Sequence, residues 1–309
     1  MKVRQIDDMG ADYLDLVDWL TENGEHTSPR GMGTVEIENV ALVLTNPRLA
    51  LPVGIGRRFS HGILAAESMQ WLAGVSDLKQ LDSVSRGKFS NYADHPDSLY
   101  GAYGPRAWQG LEMVVSTLDE DPDSRRAVVS LWSHLESQVT KDLPCTVNWG
   151  FRIRDGKLNM TTSMRSNDVY TGVTYDIPAM TRIQSAVAWA LGVEVGNYTH
   201  IAYSFHLYDR DIPAVDAMKK MTDEHEQPPM LGDDLDDDLA LPARRLTALQ
   251  RWQYLRDTLA LGALSGADNL PRSFEWYAEH LRGSERHPYY CDRCRYFLPQ
   301  EHLICPSDF

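Results

Sequence analysis

The stretch "VNWGFRIRDGKLNMTTSM", Val147 to Met164, decides how the chain is read. Asp155-Gly156 stands there between two strand-like runs. An Asp-Gly pair tolerates positive φ at both central positions, as a tight hairpin turn requires, so the segment predicts two antiparallel strands. Outward from it, "VALVLT" (40–45) and "RAVVSLW" (126–132) are further β-rich runs. Residues 11–22 place Tyr13, Leu16, Val17 and Leu20 at i, i+3, i+4 and i+7, one face of a helix. Residues 178–191 predict a buried helix with Pro178 at its start, Met180, Ile183, Val187 and Leu191 on one face and Gly192 as its C-cap. Strands and helices do not alternate regularly. The body is therefore α+β, with a mixed sheet and flanking helices.

The chain has 309 residues, 43% hydrophobic and 24% charged, within the range of an ordinary globular protein. No apolar run approaches the roughly 20 residues that cross a bilayer, so no membrane partner is expected. The start, "MKVRQIDDMGADYLDL", is acidic and polar and does not read as a signal peptide, which makes the cytoplasm the expected location. A net charge of −14 argues against binding polymeric nucleic acid. It leaves room for a small phosphorylated ligand, because a few arginines in one pocket hold one phosphate. Near residue 220 the character changes. "DDLDDDLALP" (233–242) reads as a solvated linker, and two helices are expected near 244–261 and 272–282. The expected organisation is a main domain over 1–220. A mostly helical extension over 221–309, with a Cys-rich tail, packs on the same domain.

Cys145 lies in "LPCTVNWGF" between a proline and a strand-like run. A lone cysteine there is ordinarily a buried structural residue. A nucleophile needs polar or cationic neighbours that favour the thiolate. The chain offers them: Arg125 and Arg126 in "DSRRAVVSLW", Arg165, Ser166 and Asp168 in "MRSND", His206 and Tyr208 in "FHLYD", Glu67 in "AAESMQWLAG", and Tyr103 in "LYGAYGPRAW". Each alone has a bland explanation as a surface charge or a core tyrosine; the ordered set does not. In the tail, Cys291, Cys294, His302 and Cys305 read C-x2-C-x7-H-x2-C, the pattern of a small structural zinc site. The alternative is reduced thiols packed among Tyr289, Tyr290, Tyr296 and Phe297.

The segments "LPCTVNWGFRIRDGKL", "RSNDVYTGVTYDI" and "GVEVGNYTHIAYSFHLYDRD", with Glu67 seven residues before Gly74, resemble the thymidylate synthase superfamily over roughly residues 10 to 211. The resemblance implies that family's mixed sheet with flanking helices, a nucleoside monophosphate substrate and 5,10-methylenetetrahydrofolate as one-carbon donor. It implies Cys145 as the nucleophile toward pyrimidine C6, Glu67 as the residue that orders water and relays protons, and Tyr103 as a neighbour of the nucleophile. Arg165 and Ser166 match phosphate ligands. Arg125 and Arg126 match a pair that reaches the phosphate of the other subunit, hence a homodimer with shared sites. His206 and Tyr208 match the readers of the sugar 3′-hydroxyl. Asp168 matches the pterin-binding aspartate and Gly172 the glycine of the adjoining loop.

The departures point to the substrate. Asp176 stands where synthases carry an asparagine that reads uracil. A carboxylate accepts from the 4-amino group of cytosine, and from N3 when N3 is protonated, as expected of a cytidylate hydroxymethylase. Thr146 replaces a histidine, and Phe89 falls near a tryptophan that packs on folate. "TGVTYD", which contains Tyr175 beside the folate loop, replaces "LGVPFN". Arg30, in "SPRGMGT", stands one place off the phosphate-loop spacing, and the C-terminal third does not resemble the synthase tail. The expectation is folate-dependent 5-hydroxymethylation of CMP or dCMP. The alternatives are a thymidylate synthase-type or dUMP hydroxymethylase activity, and a non-catalytic nucleotide-binding regulator.

Overall fold

The Asp155-Gly156 turn forms as its sequence predicts, with φ of 53° and 72°. It joins β5 (Thr146–Arg154) to β6 (Lys157–Met164), paired antiparallel from Arg154↔Lys157 back to Thr146↔Met164 with one irregularity between Thr146 and Asn148. The computed structural model describes residues 1–53, 56, 59–136, 140–220, 227, 230 and 246–258, and the backbone of two short paired strands at 290–291 and 296–297.

Around the hairpin the sheet grows through β8 (Glu194–Tyr208), its longest strand. β8 runs parallel to β6 on one side and antiparallel to β3 (Thr34–Leu44) on the other. β1 (Lys2–Ile6) lies parallel on β3, and β4 (Val128–Ser130) closes the far edge on β5. The order is β1-β3-β8-β6-β5-β4. β2 (Glu25–Thr27) pairs with β3, and the two-residue β7 (Asn167–Asp168) pairs with β8. The sheet is mixed, as expected. The run 126–132 contributes only the three residues of β4 to it.

Helices α1 (Met9–Asn23), α2 (His61–Ala73), α3 (Leu78–Ser85), α4 (Tyr103–Glu120), α5 (Val173–Leu191) and α6 (Ile212–Met218) flank it. α1 buries Tyr13, Leu16, Val17 and Leu20, the four residues its spacing singles out. Its Tyr13 hydroxyl donates to the carbonyl of Val169 at 2.9 Å, which ties this helix to the turn after β7.

α5 is the crossover between β6 and β8. It is buried on nearly every side, and its buried polar side chains find partners in the packing, as where Gln184 donates to the carbonyl of Leu158 at 2.8 Å. It corrects one expectation: it starts at Val173, so Pro178 lies inside it rather than at its start. The cause is the polar turn before it, where the amide of Asp176 already bonds the carbonyl of Gly172 at 2.8 Å. Proline forfeits one helical amide donor. Burial of Ile177, Met180, Ile183 and Val187 around it outweighs that loss. The shift matters because it puts Asp176 in the first turn of the helix.

Of the two C-terminal helices expected, α7 (Ala248–Thr258) forms within the span 244–261. It buries Ala248, Trp252 and Leu255 in the main core. Arg251 Nε donates to the carbonyl of Ala190 at 2.7 Å and so satisfies an end carbonyl of α5. The span 272–282, the run 233–242, and the side chains of Cys291, Cys294, His302 and Cys305 lie outside the described residues. Among the described residues no helix is long and apolar enough to cross a membrane, and no cluster of metal-ligating side chains occurs.

Candidate active site

The strand β5 brings Cys145 to its entrance, and Arg165, at the end of β6, holds it there. The Arg165 amide donates to the Cys145 carbonyl at 2.8 Å. Its Nε and Nη2 donate to the carbonyls of Pro144 and Leu143 at 2.9 and 3.0 Å, and its guanidinium lies 5.8 Å from the Trp132 ring centroid. The arginine expected as a phosphate ligand therefore also clamps the segment that carries the thiol. Burial pushes the Cys145 thiol up to about 11, against the pull of Arg165. At neutral pH the resting group is a thiol.

Tyr103 closes on it, and Glu67 faces Asp176 close by. The hydroxyl of Tyr103, at the start of α4, accepts from the Thr146 amide at 3.1 Å, one residue past the thiol. Tyr103 packs on Trp71 at 4.8 Å and edge-on to Trp149 at 6.4 Å. The Thr146 hydroxyl is buried beside the Tyr103 hydroxyl, on which it acts electrostatically. Glu67 projects from α2. Burial, then the carboxylate of Asp176, push it up to about 8, so it carries a proton at pH 7.

Ser166 is half-buried in the turn between β6 and β7. Asp168 follows, and its carboxylate organises the next four residues. Oδ1 accepts from the amides of Tyr170 and Thr171 at 2.9 and 2.7 Å; Oδ2 accepts from the amide of Gly172 at 3.0 Å and from the Thr171 hydroxyl. All four acceptor positions of the carboxylate are used. Gly172 is glycine for lack of room, since a Cβ there would lie 2.5 Å from Asn167 Nδ2 and 2.9 Å from the Asp168 carbonyl.

Asp176 sits on the first turn of α5 and accepts from Asn167 Nδ2 at 2.6 Å. A helix N-terminus favours an anion. Burial, with the Asp168 carboxylate adding to it, outweighs this and the Asn167 hydrogen bond, and pushes Asp176 up to about 7. Asn167 in turn meets His200, and His200 meets Tyr198, both on β8, at 3.0 Å each.

At the C-terminal end of β8, His206 and Tyr208 stand edge to face at 4.9 Å. His206 Nδ1 is 3.2 Å from the Ser204 hydroxyl. The Tyr208 hydroxyl is pushed up by burial, then by Asp168, and pulled down by Arg30 and Arg210. Arg30 has φ of 55°, a left-handed backbone unusual outside glycine, in the loop before β3. Cys145, Asp168, Asp176, Glu67, Tyr103, Tyr208 and Arg30 thus share one electrostatic neighbourhood. Arg125 and Arg126 do not join it on the same chain. They are exposed just before β4.

Phe89 is half-buried against the core in a short 3₁₀ turn. Tyr175 stacks on Phe59 at 4.4 Å and 17°, and its hydroxyl accepts from the Ser60 amide at 3.0 Å. Sequence reasoning missed Phe59, Trp132, Asn167, Tyr198 and His200. A cue existed for the last two, because Tyr198, His200 and Ala202 share one face of the strand, and the first two carry polar groups where an inward face calls for apolar ones.

The thymidylate synthase family profile matches residues 11–239. The deoxyuridylate hydroxymethyltransferase of Bacillus phage SP01 is 31% identical over 222 residues, which cover 65% of this chain and 57% of the phage protein. The match therefore spans little more than half of that relative's length.

Proposed function

The chain belongs to the thymidylate synthase family, and from that premise we propose that it 5-hydroxymethylates a cytidine monophosphate, CMP or dCMP. The observation that carries the reading is the carboxyl of Asp176, which is poised near neutral pH beside the thiol of Cys145. A carboxylic acid pairs with both edge groups of neutral cytosine. One oxygen accepts from the 4-amino group, and the other donates its proton to N3. A proton given to N3 draws electrons from the ring and leaves Asp176 a carboxylate, which can take up the thiol proton as the Cys145 sulfur adds at C6. Glu67, protonated at rest, is the proton relay. The buried Thr146 hydroxyl, in place of a synthase histidine and beside the Tyr103 hydroxyl, is a group that can bond one water.

5,10-Methylenetetrahydrofolate, when bound, supplies the one-carbon unit for C5; water supplies the product hydroxyl, and tetrahydrofolate leaves unoxidised. The residues fit this donor on one condition. Asp168 has no spare acceptor, but of its four donors the Thr171 hydroxyl can rotate away and free one for a pterin N–H. Gly172, Phe89 and Tyr175 line the same side in this reading. Arg30, Arg165 and Ser166 take the phosphate, and His206 and Tyr208 the sugar. Exposed Arg125 and Arg126 reach the phosphate of a second copy in a homodimer.

A second reading, dUMP hydroxymethylation, is favoured by the name of the phage relative. Incubation with CMP, dCMP or dUMP and methylenetetrahydrofolate separates the two. We expect a hydroxymethylated cytidylate by mass spectrometry and no dihydrofolate. A hydroxymethylated dUMP with no cytidylate product supports the second reading. A methylated dUMP with dihydrofolate sinks both.

A further inference from the structure

The base-reading carboxyl does not stand alone, and the groups behind it have a direction. Tyr198 Oη lies 3.0 Å from His200 Nδ1 and 3.2 Å from the Met180 sulfur. The buried Thr162 hydroxyl also faces this phenol and can donate to its oxygen; a thioether is a poor acceptor beside an imidazole nitrogen, so the phenol's own proton points at Nδ1. His200 is fully buried, and burial pushes it down to about 3, so the ring is neutral and carries one N–H. With Nδ1 accepting, that N–H is on Nε2, 3.0 Å from Asn167 Oδ1. The amide of Asn167 is thereby oriented. Its Oδ1 accepts from histidine, and its Nδ2 donates to Asp176 Oδ2 at 2.6 Å. Gly172 keeps this amide in place, because a Cβ there would strike it at 2.5 Å.

We propose that Tyr198, His200 and Asn167 form a one-way hydrogen-bond relay that holds Asp176 Oδ2 as a bare acceptor. Any proton on the carboxyl then sits on Oδ1, and the relay fixes the choice between cytosine and uracil. The two bases demand opposite polarities of one carboxyl group. Cytosine needs the bare oxygen at its 4-amino group and the O–H at N3; uracil needs the O–H at O4 and the bare oxygen at N3–H. Without a relay a carboxylic acid can exchange its two oxygens and serve either base. With it, Oδ2 is the oxygen for the 4-amino group. His200 and Asn167 are positioning residues here, since they act through Asp176. The inference rests on the cytidylate reading above.

The test compares kcat/KM for the cytidylate and for dUMP, and the binding of each nucleotide alone by calorimetry, in His200→Leu, His200→Gln and wild type. Circular dichroism and thermal melting check folding. His200→Leu removes the donor to Asn167; we expect the cytidylate-to-uridylate ratio to fall about tenfold or more. His200→Gln retains an N–H donor and is expected to recover most of that ratio. Gly172→Ala, which leaves the relay's own side chains intact and displaces the Asn167 amide, is expected to lower the ratio in the same direction. If both bases lose activity equally in His200→Leu, or if the loss falls on uridylate, the relay is refuted. Should a variant fail to fold, the ratio in Tyr198→Phe, which removes only the proton aimed at Nδ1, decides in its place. Asp176→Asn separates this inference from its premise. A shifted base preference there with an unmoved ratio in the His200 variants overturns the relay alone. An unmoved preference in Asp176→Asn overturns the cytidylate reading itself.

Discussion

In the proposed site, the phosphate end and the base end are built on opposite principles. At the phosphate end, Arg30, Arg125 and Arg126 are exposed, on the loop before β3 and just before β4, and only Arg165 and Ser166 are half-buried. At the base end, Asp176, Asn167, His200 and Tyr198 form a continuous chain of hydrogen bonds, and both residues on β8 are fully buried. An exposed guanidinium attracts any phosphate and discriminates little, since water can replace whatever it loses. A buried polar group without its partner costs its desolvation, so the base end can reject a wrong base strongly. Affinity and specificity are thus expected to separate along the length of the nucleotide.

That separation can be broken experimentally. The largest effect belongs to the thiol between the two ends. Cys145→Ala is expected to lower turnover by at least about 10⁴-fold, with nucleotide binding by calorimetry largely kept; retained turnover would remove the thiol from the chemistry. Next comes the base end. Asp176→Asn is expected to reduce cytidylate kcat/KM by about 100- to 1,000-fold and leave dUMP unaffected or improved, measured in steady-state kinetics. At the phosphate end, Arg126→Ala is expected to raise KM for every nucleotide by about tenfold with little change in kcat and no change in base preference. Mixing that variant with inactive Cys145→Ala chains should restore part of the activity, because one of the two shared sites would then be intact. No recovery, with chain exchange verified, argues against a shared site.

The smallest effect is on stability. Glu67, pushed up to about 8, and Asp176, pushed up to about 7, bind more protons folded than unfolded above about pH 4.5, where the free carboxyls ionise. Stability therefore falls as pH rises through this window, up to about pH 8 for Glu67, and the penalty is absent below it. Glu67→Gln should raise the melting temperature relative to wild type at pH 8.5, by the equivalent of about 1–3 kcal/mol, and make little difference at pH 4.5. An equal gain at both pH values would mean that the effect is packing rather than ionisation.

Much of the frame was readable in advance because its signals are local. The Asp155-Gly156 turn needs only its own two residues, and the buried face of α1 only the spacing of Tyr13, Leu16, Val17 and Leu20. The start of α5 was misplaced for a local reason too. Pro178 is a strong start signal, but the turn that the Asp168 carboxylate organises over 170–172 leads straight into helical bonding, with the Asp176 amide already on the Gly172 carbonyl, so the helix begins at Val173. Cys145, Glu67, Tyr103, Asp168 and Asp176 were picked out by residue type and order, and they do gather in one neighbourhood.

The sequence by itself determined the inventory of the neighbourhood: one thiol beside a strand, a glutamate and a tyrosine from two helices, and two aspartates in one short segment. Only the tertiary structure decided what state those groups are in. The protonation of Glu67, Asp176 and Cys145 follows from burial, which is a property of the packed core and not of any one segment. The orientation of Asn167 likewise depends on His200 and Tyr198, which lie about thirty residues away in sequence and come within hydrogen-bond reach only because β7 pairs with β8. A hydrogen bond has a direction only once both partners are fixed in space, and here the fold does the fixing.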